Sequence, residues 1–223
     1  MYKTIASLKE LVFPKFCVIC AKSGFEVCLK CQLPWLGLPN KDKLSGLNLY
    51  YMRDYDDQSS KLILLAKEGS NNVARELISK AIFTSIKLLV SELRLIDPIN
   101  IVTIPSSRKS IMRRGRDHIN EICIEVIDLL GSNSITAFNT PILTQVRKVR
   151  DQSKLNRVER LHNLENAYSL KDRSLDNGAC ILVDDLITTG SSISEAIRAL
   201  SEAKITIQGV VTACAVGRNS LIR

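Results

Sequence analysis

The 223-residue sequence predicts an α/β fold: a parallel sheet with helices on both faces, preceded by a small four-cysteine zinc knuckle. Three observations predict it. Short apolar, β-branched runs alternate with segments of helical periodicity, the pattern of strands joined by crossover helices. Ile181-Leu182-Val183 is apolar without alternation and reads as a strand buried on both faces. Four of the seven cysteines fall within fifteen residues near the start.

Those four set the first module, residues 1–40. Cys17-x-x-Cys20 and Cys28-x-x-Cys31 offer four thiolates in two tight pairs, suited to one tetrahedral Zn²⁺ at ~2.3 Å. Few large apolar side chains lie in this stretch, so a metal staple has a physical purpose. A redox pair or a disulfide pair would use the same spacing; two matched units in a reducing compartment favour structural zinc. Four protein ligands leave no open position for catalysis. Pro34 and Pro39 argue against a continuing helix, and Cys123, Cys180 and Cys214 read as small buried hydrophobes.

Residues 41–223 form the second module. Leu47 to Tyr55 reads as a hairpin or two short strands, Asp56-Asp57 as a turn, and Lys61 to Glu68 as an amphipathic segment. Asn71 or Asn72 caps a helix in which Val73, Leu77, Ile78, Ala81, Ile82, Ile86, Leu89 and Leu93 keep helical spacing. Ile99 to Ile104 is a strand that stops at Pro105. Asp117 to Leu130 is a helix stopped by Gly131. Ile135 to Val146 is a strand candidate interrupted at Pro141, and Arg147 to Asn163 is too charged for a core element. Cys180 to Val183, Ser191 to Ala203 and Ile205 to Val216 complete the pattern as strand, helix and strand. In such sheets ligands sit beyond the carboxyl ends of the strands. Pro105-Ser106-Ser107, Asp184-Asp185 and Gly217-Arg218 fall there.

The most informative run is Ile181-Leu182-Val183-Asp184-Asp185-Leu186-Ile187-Thr188-Thr189-Gly190-Ser191-Ser192. Two acids end the apolar strand, and a hydroxyl-rich turn leads into a helix. Backbone N–H groups and the hydroxyls of Thr188, Thr189, Ser191 and Ser192 can surround a phosphate at the positive end of that helix. Gly190 takes a positive φ without strain and lets the backbone approach the anion. Asp184 and Asp185 are left to accept hydrogen bonds from sugar hydroxyls. A P-loop is excluded, because no Gly-Lys-Ser/Thr follows a glycine-rich loop.

A formal charge of +8 favours anionic partners, while 5% aromatics make broad base stacking scarce. Two clusters hold eleven of the 31 Lys and Arg: Arg108, Lys109, Arg113, Arg114 and Arg116, then Arg147, Lys148, Arg150, Lys154, Arg157 and Arg160. Arg113, Arg114 and Arg116 are candidate nucleic-acid contacts. His118 and His162 read as surface groups, neither catalytic base nor metal pair. The sequence has no transmembrane stretch and a poor signal-peptide pattern, which predicts a cytoplasmic location.

The run at 181–192 resembles the phosphoribosyl-pyrophosphate (PRPP) motif of type I phosphoribosyltransferases. The whole chain resembles the ComF family, which joins a four-cysteine zinc finger to a phosphoribosyltransferase-like domain. The resemblance is carried by the CxxC pairs, Tyr55 with Lys61-Leu62-Ile63-Leu64-Leu65-Ala66-Lys67, Ile104-Pro105-Ser106, Arg114-Gly115, and Asp151-Gln152-Ser153-x-Leu155 with Arg157, Arg160, Asn163 and Ala167-Tyr168. Many members read Arg-Gly-Phe-Asn-Gln where this chain has Arg114-Gly115-Arg116-Asp117-His118.

The resemblance implies a type I phosphoribosyltransferase-like sheet. PRPP or a related ribose phosphate would place its 5′-phosphate at Thr188 to Ser192 and its ribose hydroxyls at Asp184 and Asp185. Ser106, Ser107, Arg108 and Lys109 would hold the pyrophosphate. Mg²⁺ would bridge ribose and pyrophosphate oxygens, and the loop Arg147 to Arg160 would close over the site. The family also implies a link to DNA uptake and natural transformation. The alternatives are a catalytically inactive single-stranded-DNA-binding accessory protein, with its knuckle on a protein partner of the uptake machinery, and a PRPP-sensing regulator.

Overall fold

A computed structural model describes residues 15–69, 71–96, 98–147, 149, 157–171 and 178–217. Met1 to Pro14 of the knuckle module and Arg218 therefore lie outside the described residues.

The knuckle carries a short helix α1 (Leu29–Gln32) and a 3₁₀ turn, Leu33–Trp35, with Pro34 at its start. Strands β1 (Asn40–Leu44) and β2 (Leu47–Asp54) follow as an antiparallel hairpin. Helix α2 (Asp57–Glu68) starts at a capping box in which Asp56 accepts from the Ser59 amide and Ser59 Oγ accepts from the Asp56 amide. Helix α3 (Asn72–Leu93) is capped by Asn71, whose Oδ1 accepts from Ala74 N at 2.9 Å. Then come β3 (Ile99–Thr103), α4 (Arg108–Arg114), α5 (His118–Gly131), β4 (Ala137–Asn139), β5 (Leu143–Gln145), α6 (Arg157–Leu164), β6 (Tyr168–Leu170), β7 (Ala179–Ile187), α7 (Ser191–Glu202) and β8 (Ile207–Ala215).

Six strands form one sheet in the order β1-β2-β8-β7-β3-β4, parallel except at the β1–β2 hairpin. β5 and β6 form a separate antiparallel pair. The connection from β7 runs through α7 to β8 on one side, and that from β3 runs through α5 to β4 on the other. Right-handed crossovers that depart in opposite directions place their helices on opposite faces. The buried residues follow this rule. Ile122, Cys123, Val126 and Leu130 of α5 pack in one core with α3, whereas Ile193, Ala196, Ala199 and Leu200 of α7 pack in the other. The strand order reverses between β3 and β7, and the crevice beyond their carboxyl ends is where such sheets take ligands.

Two expectations shift. The acid pair does not end its strand: β7 continues to Ile187, because β8 supplies partners for Asp184, Leu186 and Ile187 in Thr212, Cys214 and Ala215. The candidate strand 135–146 is two strands in two sheets, divided at Pro141. Part of the basic stretch forms α6 beside α7, with Glu159 and His162 exposed, which accords with its being too charged for a core element.

The knuckle is not separate from the sheet. Cys17, Ile19, Val27, Cys28 and Trp35 share one core with Tyr50, Met52 and Leu77. Asn71, while capping α3, donates through Nδ2 to Glu26 Oε2 at 2.6 Å.

Candidate functional site

The site assembles at the β3–β7 crevice. Thr103 pairs with Val183, and Ile104 N donates to Val183 O at 3.1 Å, so Pro105-Ser106-Ser107 leaves the sheet beside the acid pair. Ser107 caps α4, accepting from the Ser110 amide at 3.1 Å. Arg108 and Lys109 are exposed on its first turn.

Beyond β7, Gly190 adopts φ +76° and α7 begins at Ser191. An L side chain at this φ is strained, which is why glycine stands here. A Cβ on Gly190 would meet Leu44 Cδ1 at 2.8 Å, so the β1–β2 hairpin backs the turn directly. Ser45 Oγ and Ser194 Oγ, 3.0 Å apart, add a polar tie. Thr189 and Ser191 hydroxyls lie 2.8 Å apart, and Arg160 Nη1 donates to Thr188 Oγ1 at 3.2 Å. The hydroxyls of Thr188, Thr189 and Ser191 thus gather at the N-terminus of a twelve-residue helix, where Ser191 N donates to Thr189 Oγ1 at 3.4 Å, while the Ser192 hydroxyl bonds the Tyr168 phenol.

The acids behave differently. Asp185 is 3% exposed; Lys67 Nζ lies 3.0 Å and His118 Nε2 3.2 Å from its Oδ2. Burial opposes its charge, but Lys67 first and His118 second outweigh burial and hold its carboxyl well below the usual range. Lys67 is pushed up in turn, chiefly by Asp185. Asp184 is half-buried, accepts from Asp185 N at 2.9 Å, and forms no ion pair among the described residues. Burial, then the adjacent Asp185 charge, pushes its carboxyl up to about 8.

His118 is not the surface group its sequence suggests: it is 1% exposed at the first turn of α5. Its signal was the spacing to Ile122, one turn on along the buried face. Lys67 had a similar signal, falling one turn after Ile63 on the face that buries Leu62, Ile63 and Ala66. His162 is exposed, as expected.

The first basic cluster divides. Arg113 is 63% exposed and pairs with Glu68 at 2.8 Å. Arg114 is 6% exposed. Arg116 is 13% exposed, pairs with Glu121 and donates to the carbonyls of Ala66 and Lys67. Arg114 and Arg116 are thus packed inside, and α4 presents Arg108, Lys109 and Arg113 outward. Of the second cluster, Lys148, Arg150 and Lys154 lie outside the described residues, as do Asp151, Gln152, Ser153 and Leu155 of the family-like stretch.

The four knuckle sulfurs, of Cys17, Cys20, Cys28 and Cys31, lie within 4.8 Å of one another, with Cys20 and Cys28 Sγ 3.6 Å apart. Tetrahedral Zn–S bonds of ~2.3 Å separate sulfurs by about 3.8 Å, so the donor set fits zinc. Cys28 N donates to Cys17 Sγ at 3.4 Å. Burial pushes the Cys17 thiol up, but amide hydrogen bonds from Cys28, Cys20 and Ile19 outweigh it and hold that thiol at about 6.

Two surface cavities, of about 340 and 180 Å³, lie along α7; the larger is lined by His162, Glu165, Ser191, Ser194, Glu195 and Arg198, and so meets the hydroxyl-rich turn at Ser191. Neither contains Asp184, Asp185 or Ser106, and their carboxylates suit an anion poorly. No helix among the described residues is long and apolar enough to cross a membrane.

Residues 113–221 match the family model described as the phosphoribosyl transferase domain. The chain carries a phosphoribosyl transferase-type domain. The match takes in β7, the hydroxyl-rich turn and α7; the sheet of this phosphoribosyl transferase-type domain also recruits β1, β2 and β3 from before it. Among solved structures, the adenine phosphoribosyltransferase of Leishmania donovani aligns over 81% of this chain and 90% of its own, at 9% identity and TM-score 0.37. No curated protein matches the chain.

Proposed function

We propose that the chain binds PRPP and belongs to the ComF-type proteins that serve DNA uptake in the cytoplasm. One observation carries the PRPP part: Gly190 at φ +76° opens a Thr-Thr-Gly-Ser-Ser turn onto α7, directly beyond an acid pair on the same strand. The 5′-phosphate sits at Thr188, Thr189, Gly190, Ser191 and Ser192, the ribose at Asp184 and Asp185, and the pyrophosphate at Ser106, Ser107, Arg108 and Lys109. Mg²⁺, when bound with PRPP, would neutralise pyrophosphate charge; Asp184, a half-buried acid that forms no ion pair among the described residues, is compatible with it. An acceptor nucleophile then forms a bond to C1 as the C1–O bond breaks and pyrophosphate departs. The zinc is structural, and the knuckle would hold a partner of the uptake machinery.

A second reading, a DNA-binding accessory role without turnover, draws on the outward Arg108, Lys109 and Arg113 beside the crevice and on the +8 charge. Pyrophosphate release from Mg·PRPP in the presence of a panel of nucleobase and amine acceptors separates the two. Release that depends on an acceptor supports the transferase. Tight PRPP binding with no release under any acceptor supports the accessory or sensing role.

A further inference from the structure

We propose that Lys67 and His118 are positioning residues that lock Asp185 as a buried anion, leaving Asp184 as the single acid presented to the ribose hydroxyls. The inference rests on the PRPP reading and divides its acid pair into two roles. Consecutive strand residues leave opposite faces of a sheet, and β7 holds both acids inside its ladder. Asp185 shares its face with Ile181 and Val183, on the side of α3 and α5. There Lys67 reaches it from α2, with Nζ 3.3 and 3.0 Å from its two oxygens, and His118 from α5 at 3.2 Å. Its side chain is 4% exposed, so sugar hydroxyls would have to displace both. The His118 ring is buried, and neither of its nitrogens makes a well-aligned hydrogen bond among the described residues. Its polar contact is the 3.2 Å approach of Nε2 to Asp185 Oδ2, an ion-pair distance.

Asp184 has neither cation. Around it stand Thr212 of β8 by register and, in electrostatic reach, Asp185, Lys67 and the Tyr168 phenol of β6. Arg114, buried and paired with Glu68 at 3.6 Å, opposes the charge of Lys67. Two adjacent bare carboxylates would repel and share a proton. Tying one to Lys67 leaves the other raised by burial first and then by Asp185, with Lys67 opposing both.

This arrangement makes opposite predictions for two variants. Asp185→Asn removes the negative neighbour, so the Asp184 midpoint moves to lower pH. Lys67→Met removes the positive one, so the midpoint moves to higher pH. The Asp184 carboxyl ¹³C resonance in the ligand-free full chain reads both, independently of PRPP. Calorimetry with Mg·PRPP follows. Asp184→Asn should weaken binding roughly 10- to 150-fold, and Asp185→Asn less, with its pH profile displaced downward. His118→Gln, which keeps a donor toward Asp185, should bind better than His118→Leu. If Asp185→Asn fails to fold because Lys67 is left unpaired, the Lys67→Met/Asp185→Asn double variant removes both charges together; Asp184 is expected to titrate below its wild-type midpoint in it. Unmoved midpoints in these variants overturn the inference. So does a Lys67→Met shift to lower pH. A wild type whose Asp184 titrates as described but takes up no PRPP overturns the PRPP reading while the division of the acids stands.

Discussion

Leu44 lies against Gly190: its Cδ1 would be 2.8 Å from a Cβ placed on that glycine. The β1–β2 hairpin, which follows directly from the knuckle, thereby backs the phosphate turn. Gly190→Ala should meet two penalties, the left-handed φ and the clash with Leu44. The φ alone costs roughly 1–2 kcal/mol. Leu44→Ala should relieve the second penalty and leave the first. Thermal unfolding of both single variants and the double variant checks this; full recovery in the double variant would mean that φ contributes nothing.

The knuckle should hold one zinc per chain, because four sulfurs converge within 4.8 Å. Cys28→Ser should release it. Since Cys17, Cys28 and Trp35 share the sheet's core, the loss should lower the melting temperature of the whole chain as well as expose the knuckle to protease. Structural zinc in finger peptides contributes about 10 kcal/mol or more. Elemental analysis of reduced protein and calorimetry of the variant measure the two effects.

The Asp184 carboxyl is raised from its ordinary value to about 8, by burial and then by Asp185. A raised acid contributes stability that is fully present below its unfolded value near 4 and is lost as pH rises through about 8. Wild type should therefore lose stability between those limits relative to Asp184→Asn. PRPP affinity, which needs the ionised acid, should rise over the upper part of the same window. Denaturant titrations at intervals of one pH unit, for both proteins, show whether the difference has this sign.

Arg116 is packed inside, donating to the carbonyls of Ala66 and Lys67. Arg116→Ala should cost about 1–3 kcal/mol of stability, seen as a lower unfolding midpoint. Arg108, Lys109 and Arg113 face outward. Replacing those three by Ala should flatten the salt dependence of single-stranded DNA binding by ~0.7 for each phosphate that is no longer neutralised. An unchanged slope would remove α4 from the DNA path.

Local chemistry was legible from residue order alone. Gly190 at the start of its helix, the Asn71 cap and the CxxC pairs act within one turn or one short loop, and are found where their spacing implied. The doubly wound sheet was legible too, from the alternation of apolar strands and periodic helices. What was not legible is pairing across the chain. Lys67 and Asp185 are 118 positions apart, and no local rule joins them. Arg114 and Arg116 sit in a charge run, which ordinarily signals a solvated face; the turn between α4 and α5 folds them inward instead. Strand β7 outlasted its apolar run because the ladder with β8 supplied partners for Asp184, Leu186 and Ile187.

The central claim is that the Thr188–Ser192 turn and the acids of β7 form one PRPP site. Titration of Mg·PRPP into the wild-type chain, and into Gly190→Val, tests it most directly. The account predicts saturable binding by wild type at millimolar PRPP or below, and none by the folded variant, whose branched side chain is strained at the positive φ and, by meeting Leu44 behind the turn, displaces the turn. Equal binding by both proteins, or no heat with wild type, would contradict it.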